Sequence, residues 1–348
     1  MNVTELLLEL VLMVVAVVSL VSNLSVLLCF LQSADIRAHV PGILVLNLSS
    51  SNILLTLINM PATFVGVATR DNPFGDAYCK AVSFSETFLT SNGMLSMAAL
   101  SVDRWVAVVF PLSYSTRMGP REAFIIVAYS WLHSAAFSLS ELVMSWGGYS
   151  HTYASCTLHY SGKRDGSSGT VGPSQLGAFV AFTAVLHGSG FLLCLTVMTI
   201  SYLKVLRVAR FHCKRIDVIT VQTLLLLVDI QPSVKERCLA EQRKRSHRAS
   251  KKICLFIGSF IVCFAPYVIT RVTQLAPQVH IPRPWGIATK CLAYAKAASD
   301  PFVYSLLRQQ YRAALVGISH RILRRERYSF STHSASSMTD VDGGTRVP

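Results

Sequence analysis

The sequence predicts an all-α membrane protein, a seven-transmembrane helix bundle with a short amphipathic eighth helix. Three observations carry this. The 348 residues are 52% hydrophobic and only 14% charged, against about 25% charged in soluble domains. Apolar stretches long enough to cross a hydrocarbon core, about 20 residues as helix, recur along the chain up to residue 307. The formal net charge of +14 gathers between and after those stretches, which points to a membrane leaflet and not to nucleic acid.

Residues 1–5 form a short tail in which Asn2-Val3-Thr4 is a glycosylation sequon, either used or unused. Asn23-Leu24-Ser25 and Asn47-Leu48-Ser49 match the same pattern but lie inside spans. No basic region or cleavage site precedes the first apolar run, so residues 6–31 read as a retained span, with Asn23 near mid-depth. The second span, about 41–68, carries Asn47 and Asn52 and contains Pro61, which removes a helix hydrogen bond. The third, 79–111, organises the chain. Cys79 opens it, Glu86 stands two turns in, and about 16 uncharged residues precede Asp103 and Arg104. A carboxylate at that depth costs roughly 2.5 kcal/mol or more on insertion scales, so Glu86 must face a cavity or a partner.

The fourth span, about 122–146, holds Trp131, and the Tyr/Ser/Gly-rich loop 147–173 holds Cys156. The fifth, 174–210, ends basic with Lys204, Arg207 and Arg210. A polar loop, 211–248, includes the apolar run 218–230, too short to span and interrupted by Gln222, Thr223 and Asp229; it reads as an interfacial or packed helical piece. The sixth span, 252–274, has Pro266, and the seventh, 285–307, ends in Asp300-Pro301-Phe302-Val303-Tyr304. The seven-helix domain is thus 6–307. Residues 308–327 place Tyr311, Leu315, Ile318 and Ile322 near helical spacing among basic residues, which suits a helix on a membrane surface. The Ser/Thr-rich tail 328–348 is expected to be disordered.

Thirteen Lys and Arg residues fall between Lys204 and Lys252, and six between Arg308 and Arg327. By the positive-inside rule the C-terminus is cytoplasmic and the N-terminus outside, which makes 211–248 the third cytoplasmic loop. Of nine cysteines, Cys79 and Cys156 fall beside loops on the outer side, and these two are expected to pair. No metal-ligand spacing, cofactor motif, Gly-rich phosphate loop or nucleophile and base set occurs, which argues against an enzyme.

In their order along the spans, Asp103-Arg104-Trp105, Trp131, Cys263-Phe264-Ala265-Pro266 and Asp300-Pro301-Phe302-Val303-Tyr304 resemble the Asp-Arg-Tyr, fourth-helix tryptophan, Cys-Trp-x-Pro and Asn-Pro-x-x-Tyr signatures of the rhodopsin-like (class A) G-protein-coupled receptors. The resemblance covers about residues 20–323 and is similar to a small orphan subgroup of that family, so it implies no ligand. It implies a plasma-membrane receptor that passes an extracellular signal to heterotrimeric G proteins by outward motion of the sixth helix. Arg104 would pair with Asp103 at rest and contact the G protein when released; a plain helix-end charge pair is the other reading. Tyr202 and Tyr304 match the family tyrosines that turn inward, Pro266 supplies the bend, and Phe260 and Phe264 form the packed switch. Membrane lipids, arrestin and receptor kinases are the further expected partners, with Ser329, Ser331, Thr332, Ser334, Ser336, Ser337 and Thr339 as phosphorylation candidates.

Several residues depart from the family pattern. Arg243-Lys244-Arg245-Ser246-His247-Arg248 has the wrong sign to clamp Arg104, and Cys194 replaces a fifth-helix proline, leaving its bulge in doubt. Asn52 stands where the family keeps its sodium-binding acid. Lys296 and Asp300, four apart on one helix face, point by the family alignment toward Asn52 and Gly93. The Lys296 ammonium is then either a tethered substitute for sodium or half of a structural ion pair.

Glu86 matches the position at which amine receptors keep an aspartate. It is expected either to pair with Lys290 across the cavity or to capture a cationic ligand. The expected pocket is Phe84, Glu86, His187, Phe264, Tyr267, Lys290 and Tyr294, with Tyr294 also in reach of the Glu86 carboxylate. A cavity neutralised from within, together with the missing clamp, suggests ligand-independent signalling. The rival reading is a transporter or channel using Asn52, Glu86, Lys296 and Asp300 as an ion path, although no inverted repeat supports it.

Overall fold

A computed structural model describes residues 3–71, 73, 75–160, 173–226, 254–276, 278–306 and 310–321. Helix α1 is Val3–Gln32, α2 Val40–Thr69, α3 Gly75–Val109 and α4 Pro120–Val143. A hairpin of β1 (Gly147–Ser150) and β2 (Ser155–Leu158) follows. Helix α5 runs from Pro173–Thr183 through a π turn, Ala184–Ser189, into Gly190–Leu226. Helix α6 is Cys254–Thr273, α7 is Arg283–Pro301, and α8 covers 310–321.

Local chemistry sets the boundaries. Proline occupies the first turn of α2, α4 and α7, where its missing N–H leaves no partner wanting. At the start of α4 the Gly119 N–H donates to the Glu122 carboxylate at 2.9 Å. Helix α2 ends at Arg70 in the left-handed region, φ 60°. Five helices, α1, α2, α4, α5 and α6, are long and apolar enough to cross a membrane, and α3 qualifies together with the short helix bent 113° from it beyond Pro111. Helix α7 does not qualify, because Lys290, Lys296 and Asp300 lie in it; all three are buried, so its polar groups face the bundle and not lipid.

The main core lies in the half of the bundle that contains Arg104, where Leu44, Leu48, Met97, Leu100 and Met198 close around Phe260. Phe260 stacks on Phe191 at 5.2 Å and meets Phe264 edge-on at 5.3 Å. Trp131 is fixed by its indole N–H, which donates to Asn47 at 2.7 Å, while Asn47 donates to Ser96 at 2.8 Å.

The hairpin caps the other end. Strands β1 and β2 pair antiparallel with Tyr149 opposite Cys156, and Cys156 is disulfide-bonded to Cys79 of α3, as expected from the sequence. All four residues of β2 are buried. The connecting turn wedges between α2 and α7 at two glycines. A Cβ on Gly66 would lie 2.2 Å from the Ala154 carbonyl oxygen, and one on Gly286 would lie 2.2 Å from that of Thr152.

Four details differ from the sequence reading. Helix α5 takes its π turn without the proline, so the bulge persists despite Cys194. The same helix continues unbroken to Leu226, so residues 218–226 extend it and do not form a separate piece; the rest of that run, and 243–248, lie outside the described residues. Helix α3 begins four residues before Cys79, at Gly75. Tyr311 of α8 is buried, with Leu315 and Ile318 packed on the main core, so that face turns at least partly onto the bundle. Asn2 and the tail 328–348 lie outside the described residues.

Candidate functional site

Directly beneath the hairpin, α3, α6 and α7 bring four of the expected pocket residues into one polar cluster. The Lys290 ammonium donates to Glu86 at 2.9 Å and also to the Ser155 hydroxyl of β2. Tyr267 donates to the other Glu86 oxygen at 3.4 Å. Glu86 and Lys290 are 7% and 1% exposed, so each is the other's compensation for lost hydration. Tyr294 lies under the ammonium, 5.6 Å from its ring centre, but its hydroxyl bonds to Thr63 at 3.1 Å and not to Glu86. His187 packs edge-on against Tyr267 at 5.9 Å, and Phe264 lines the space below Glu86.

Phe84 is the exception among the expected pocket residues. Two positions from Glu86, it falls roughly 200° around the helix. It stacks on Phe88 at 6.2 Å and borders Glu141 and Lys80 on the α4 side.

Two charged residues were not anticipated. Arg271 of α6 is 5% exposed and donates to the Tyr267 hydroxyl at 3.0 Å, to the Leu158 carbonyl at 2.9 Å and to the Thr157 hydroxyl. Its guanidinium stacks on Tyr153, 4.4 Å from the ring centre. Burial, only partly offset by that guanidinium, pushes the Tyr153 phenol above its ordinary value, so it stays neutral. Glu141 of α4 is also buried, and its carboxylate accepts from Ser83 and, at 2.5 Å, from Thr87. Spacing held a signal for both: Tyr267 and Arg271 share a face at four residues, and Ser130, Ser134 and Ser138 lead to Glu141 along one stripe.

A second polar layer lies at mid-bundle. Lys296 donates to one Asp300 oxygen, and Asn52 donates to the other at 3.2 Å and to the side-chain Oδ1 of Asn23 at 3.3 Å. Gly93 borders the same small space. The sodium-site equivalents Asn52, Gly93, Lys296 and Asp300 are therefore brought together.

At the far end Asp103 is fully buried. It accepts from Tyr114 at 2.7 Å, and the Arg104 Nε stands 3.7 Å from its second oxygen. Tyr202 and Tyr304 flank Phe256, with ring centres 4.7 and 4.4 Å from it. Pro266 and Pro301 lie one turn from Thr270 and within the end of α7 respectively.

Around Glu86 the described residues leave little free space. Cavities of about 30 Å³ and 20 Å³ adjoin Glu86, far below the 300–1,000 Å³ of ordinary ligand pockets. A larger groove, about 710 Å³, lies elsewhere, on the outer flank of α6 and α7, and is lined by exposed Val262, Ile269 and Trp285. Its apolar lining has no part in the charged cluster. Among the described residues no group of three or more His, Cys, Asp or Glu side chains is placed to hold a metal.

A family model for the 7 transmembrane receptor (rhodopsin family) matches residues 22–304. The chain is 53% identical to the G-protein coupled receptor 26 of Homo sapiens, over 95% of this chain and 94% of that protein. It is 45% identical to the human G-protein coupled receptor 78, over 95% and 89%. A remoter relative is the octopamine receptor beta-2R of Chilo suppressalis, 23% identical over 87% and 77%.

Proposed function

The chain belongs to the rhodopsin family of seven-transmembrane receptors, and from that premise we propose that it signals to heterotrimeric G proteins with a large ligand-independent component. The family makes it a multi-pass plasma-membrane receptor and not an enzyme or a transporter. The finer reading places the N-terminus and hairpin outside and the Arg104 end in the cytoplasm, in accord with the basic residues of 204–252 and 308–327.

The observation that carries the proposal is the internal occupant of the outer cavity. The ammonium of Lys290 stands on Glu86 and is roofed by Ser155, so the position at which an amine would be held is filled by the receptor's own side chain. The relation to an octopamine receptor therefore does not make this chain an amine receptor. At the other end, among the described residues, the carboxylate beside Arg104 is that of buried Asp103, at 3.7 Å and without a hydrogen bond, a loose restraint. Outward motion of α6 about Pro266 frees that end for a G protein. The basic face of α5 and α8 meets the anionic leaflet, and receptor kinases and arrestin act on the serines and threonines of 329–339.

The test is basal second-messenger output, scanned over the G-protein classes without ligand, for the intact chain, for Arg104→Ala and for Glu86→Gln with Lys290→Met at equal surface expression. The proposal expects output above mock-transfected cells, abolished by Arg104→Ala and altered by the outer pair. Output at the mock level for the intact chain overturns it.

A further inference from the structure

Two cations and two aromatic rings stand in one row across the Arg104 end of the bundle. The Lys204 ammonium of α5 lies 4.4 Å from the centre of the Trp105 ring. Trp105 meets Phe110 edge-on, with ring centres 6.3 Å apart, and the Arg117 guanidinium lies 4.3 Å from the centre of the Phe110 ring. The row thus joins α5, the end of α3 and the short helix Tyr114–Arg117. The Trp105 indole N–H is buried without a hydrogen-bond partner, so face and edge contacts set this ring. Among the described residues no carboxylate lies within 4 Å of the Lys204 ammonium, which leaves the indole face as its partner.

The same end of the bundle has few other ties across α3. Residues 243–252, which lead into α6, contain no Asp or Glu and so offer Arg104 no acid, and its Nε and Nη2 make no hydrogen bond. Helix α6 is tied to α5 instead, through Tyr202 and Phe256 with ring centres 4.7 Å apart. Tyr202 and Lys204 are two positions apart, roughly 200° around the helix. One side of α5 therefore grips α6 while another reaches the end of α3. Of the aromatic rings, indole attracts a cation most strongly, which gives Trp105 a use that the tyrosine of the Asp-Arg-Tyr signature serves less well.

We propose that Trp105 and Lys204 are positioning residues for G-protein coupling: the ammonium on the indole face ties the end of α5 to that of α3, and through Tyr202 and Phe256 it holds α6 with them, so that the Arg104 end opens only when this contact parts. The tie acts on the position of the helices and not on the G protein itself. It is a graded brake, because a single contact at an exposed lysine breaks readily, which accords with a receptor that signals in part without ligand.

The proposal rests on the G-protein reading above, and the test separates the two. The full chain in phospholipid nanodiscs is read twice: by hydrogen exchange of the amides of 202–210 without G protein, and by nucleotide exchange with each G-protein class added in turn without ligand. Lys204→Gln and Trp105→Leu are each expected to raise both readings, nucleotide exchange by about twofold to fivefold, the factor that one exposed cation–π contact corresponds to. The two together raise it no further than the larger single effect, because either alone parts the contact. Lys204→Arg returns a cation to the ring and restores the intact level. Trp105→Tyr, with the weaker ring, falls between, and takes the place of Trp105→Leu in the cycle if that variant does not fold. If no protein of the series promotes exchange with any class, the G-protein reading falls and takes the coupling role of this pair with it. If the intact chain is active and Lys204→Gln leaves either reading unchanged or lowers nucleotide exchange, or if the two substitutions add, this proposal is overturned and the G-protein reading stands.

Discussion

Lys296 and Asp300 stand one turn apart on α7 with ammonium and carboxylate paired, and Asn52 closes on the second carboxylate oxygen at 3.2 Å. The space beside Gly93 thus already contains a cation, supplied by the chain. Nucleotide exchange is expected to be the same in equal concentrations of sodium and potassium chloride. Lys296→Met strands a buried carboxylate at a cost of about 3–5 kcal/mol, and sodium, but not potassium, should restore part of the lost stability. Inhibition of the intact receptor by sodium and not by potassium is the result that rules out a tethered cation.

Glu86 and Lys290 obey the same reasoning across two helices. Either single neutralisation leaves a buried charge and lowers stability by about 3–5 kcal/mol, whereas Glu86→Gln with Lys290→Met removes both charges and is expected to cost much less than the sum. Melting temperatures of the four proteins form a double-mutant cycle. Additive losses mean that the 2.9 Å contact contributes nothing specific.

The frame of the bundle was legible because six spans announce themselves by apolar length, and the two ion pairs because a charge inside such a span demands a partner. Helix α7 has the weakest apolar signal, since Lys290, Lys296 and Asp300 interrupt it, and its terminal Asp300-Pro301-Phe302-Val303-Tyr304 run helps to mark it. Arg271 and Glu141 were missed for a physical reason. Each lies two residues from the end of its helix, where a charged side chain ordinarily extends into the interface. What buries Arg271 is the hairpin, whose Thr157 and Leu158 come from a segment more than 100 residues away, and no local pattern records that fold-back. Phe84 was misplaced by the converse error, proximity to Glu86 in sequence without a shared face.

Asp103 is expected to restrain Arg104 weakly. Its geometry, one hydrogen bond from Tyr114 at 2.7 Å and a 3.7 Å approach by Arg104 without a hydrogen bond, is a loose contact between a buried carboxylate and a half-buried guanidinium. Asp103→Asn should therefore raise basal exchange, and Tyr114→Phe, which removes only the hydroxyl donor, should change it less. A fall in output with Asp103→Asn at normal surface expression means that the carboxylate supports the active form and does not hold Arg104 back.

The seating of the hairpin gives the most direct handle on the closed cavity. Gly66 and Gly286 admit the carbonyls of Ala154 and Thr152 to within 2.2 Å of where a Cβ would stand, and neither neighbour is a flexible side-chain end that can swing aside. Gly286→Ala must displace the turn, at the cost of about 1–3 kcal/mol typical of overpacking. That shift pulls on the strand carrying Ser155, Thr157 and Leu158, the groups that bind Lys290 and Arg271. If strand β2 acts as the internal occupant, Gly286→Ala lowers basal signalling while the Cys79–Cys156 bridge keeps the protein folded and at the surface. Hydrogen exchange at β2 should rise in parallel, and unchanged exchange with unchanged output would leave the hairpin as a passive cover.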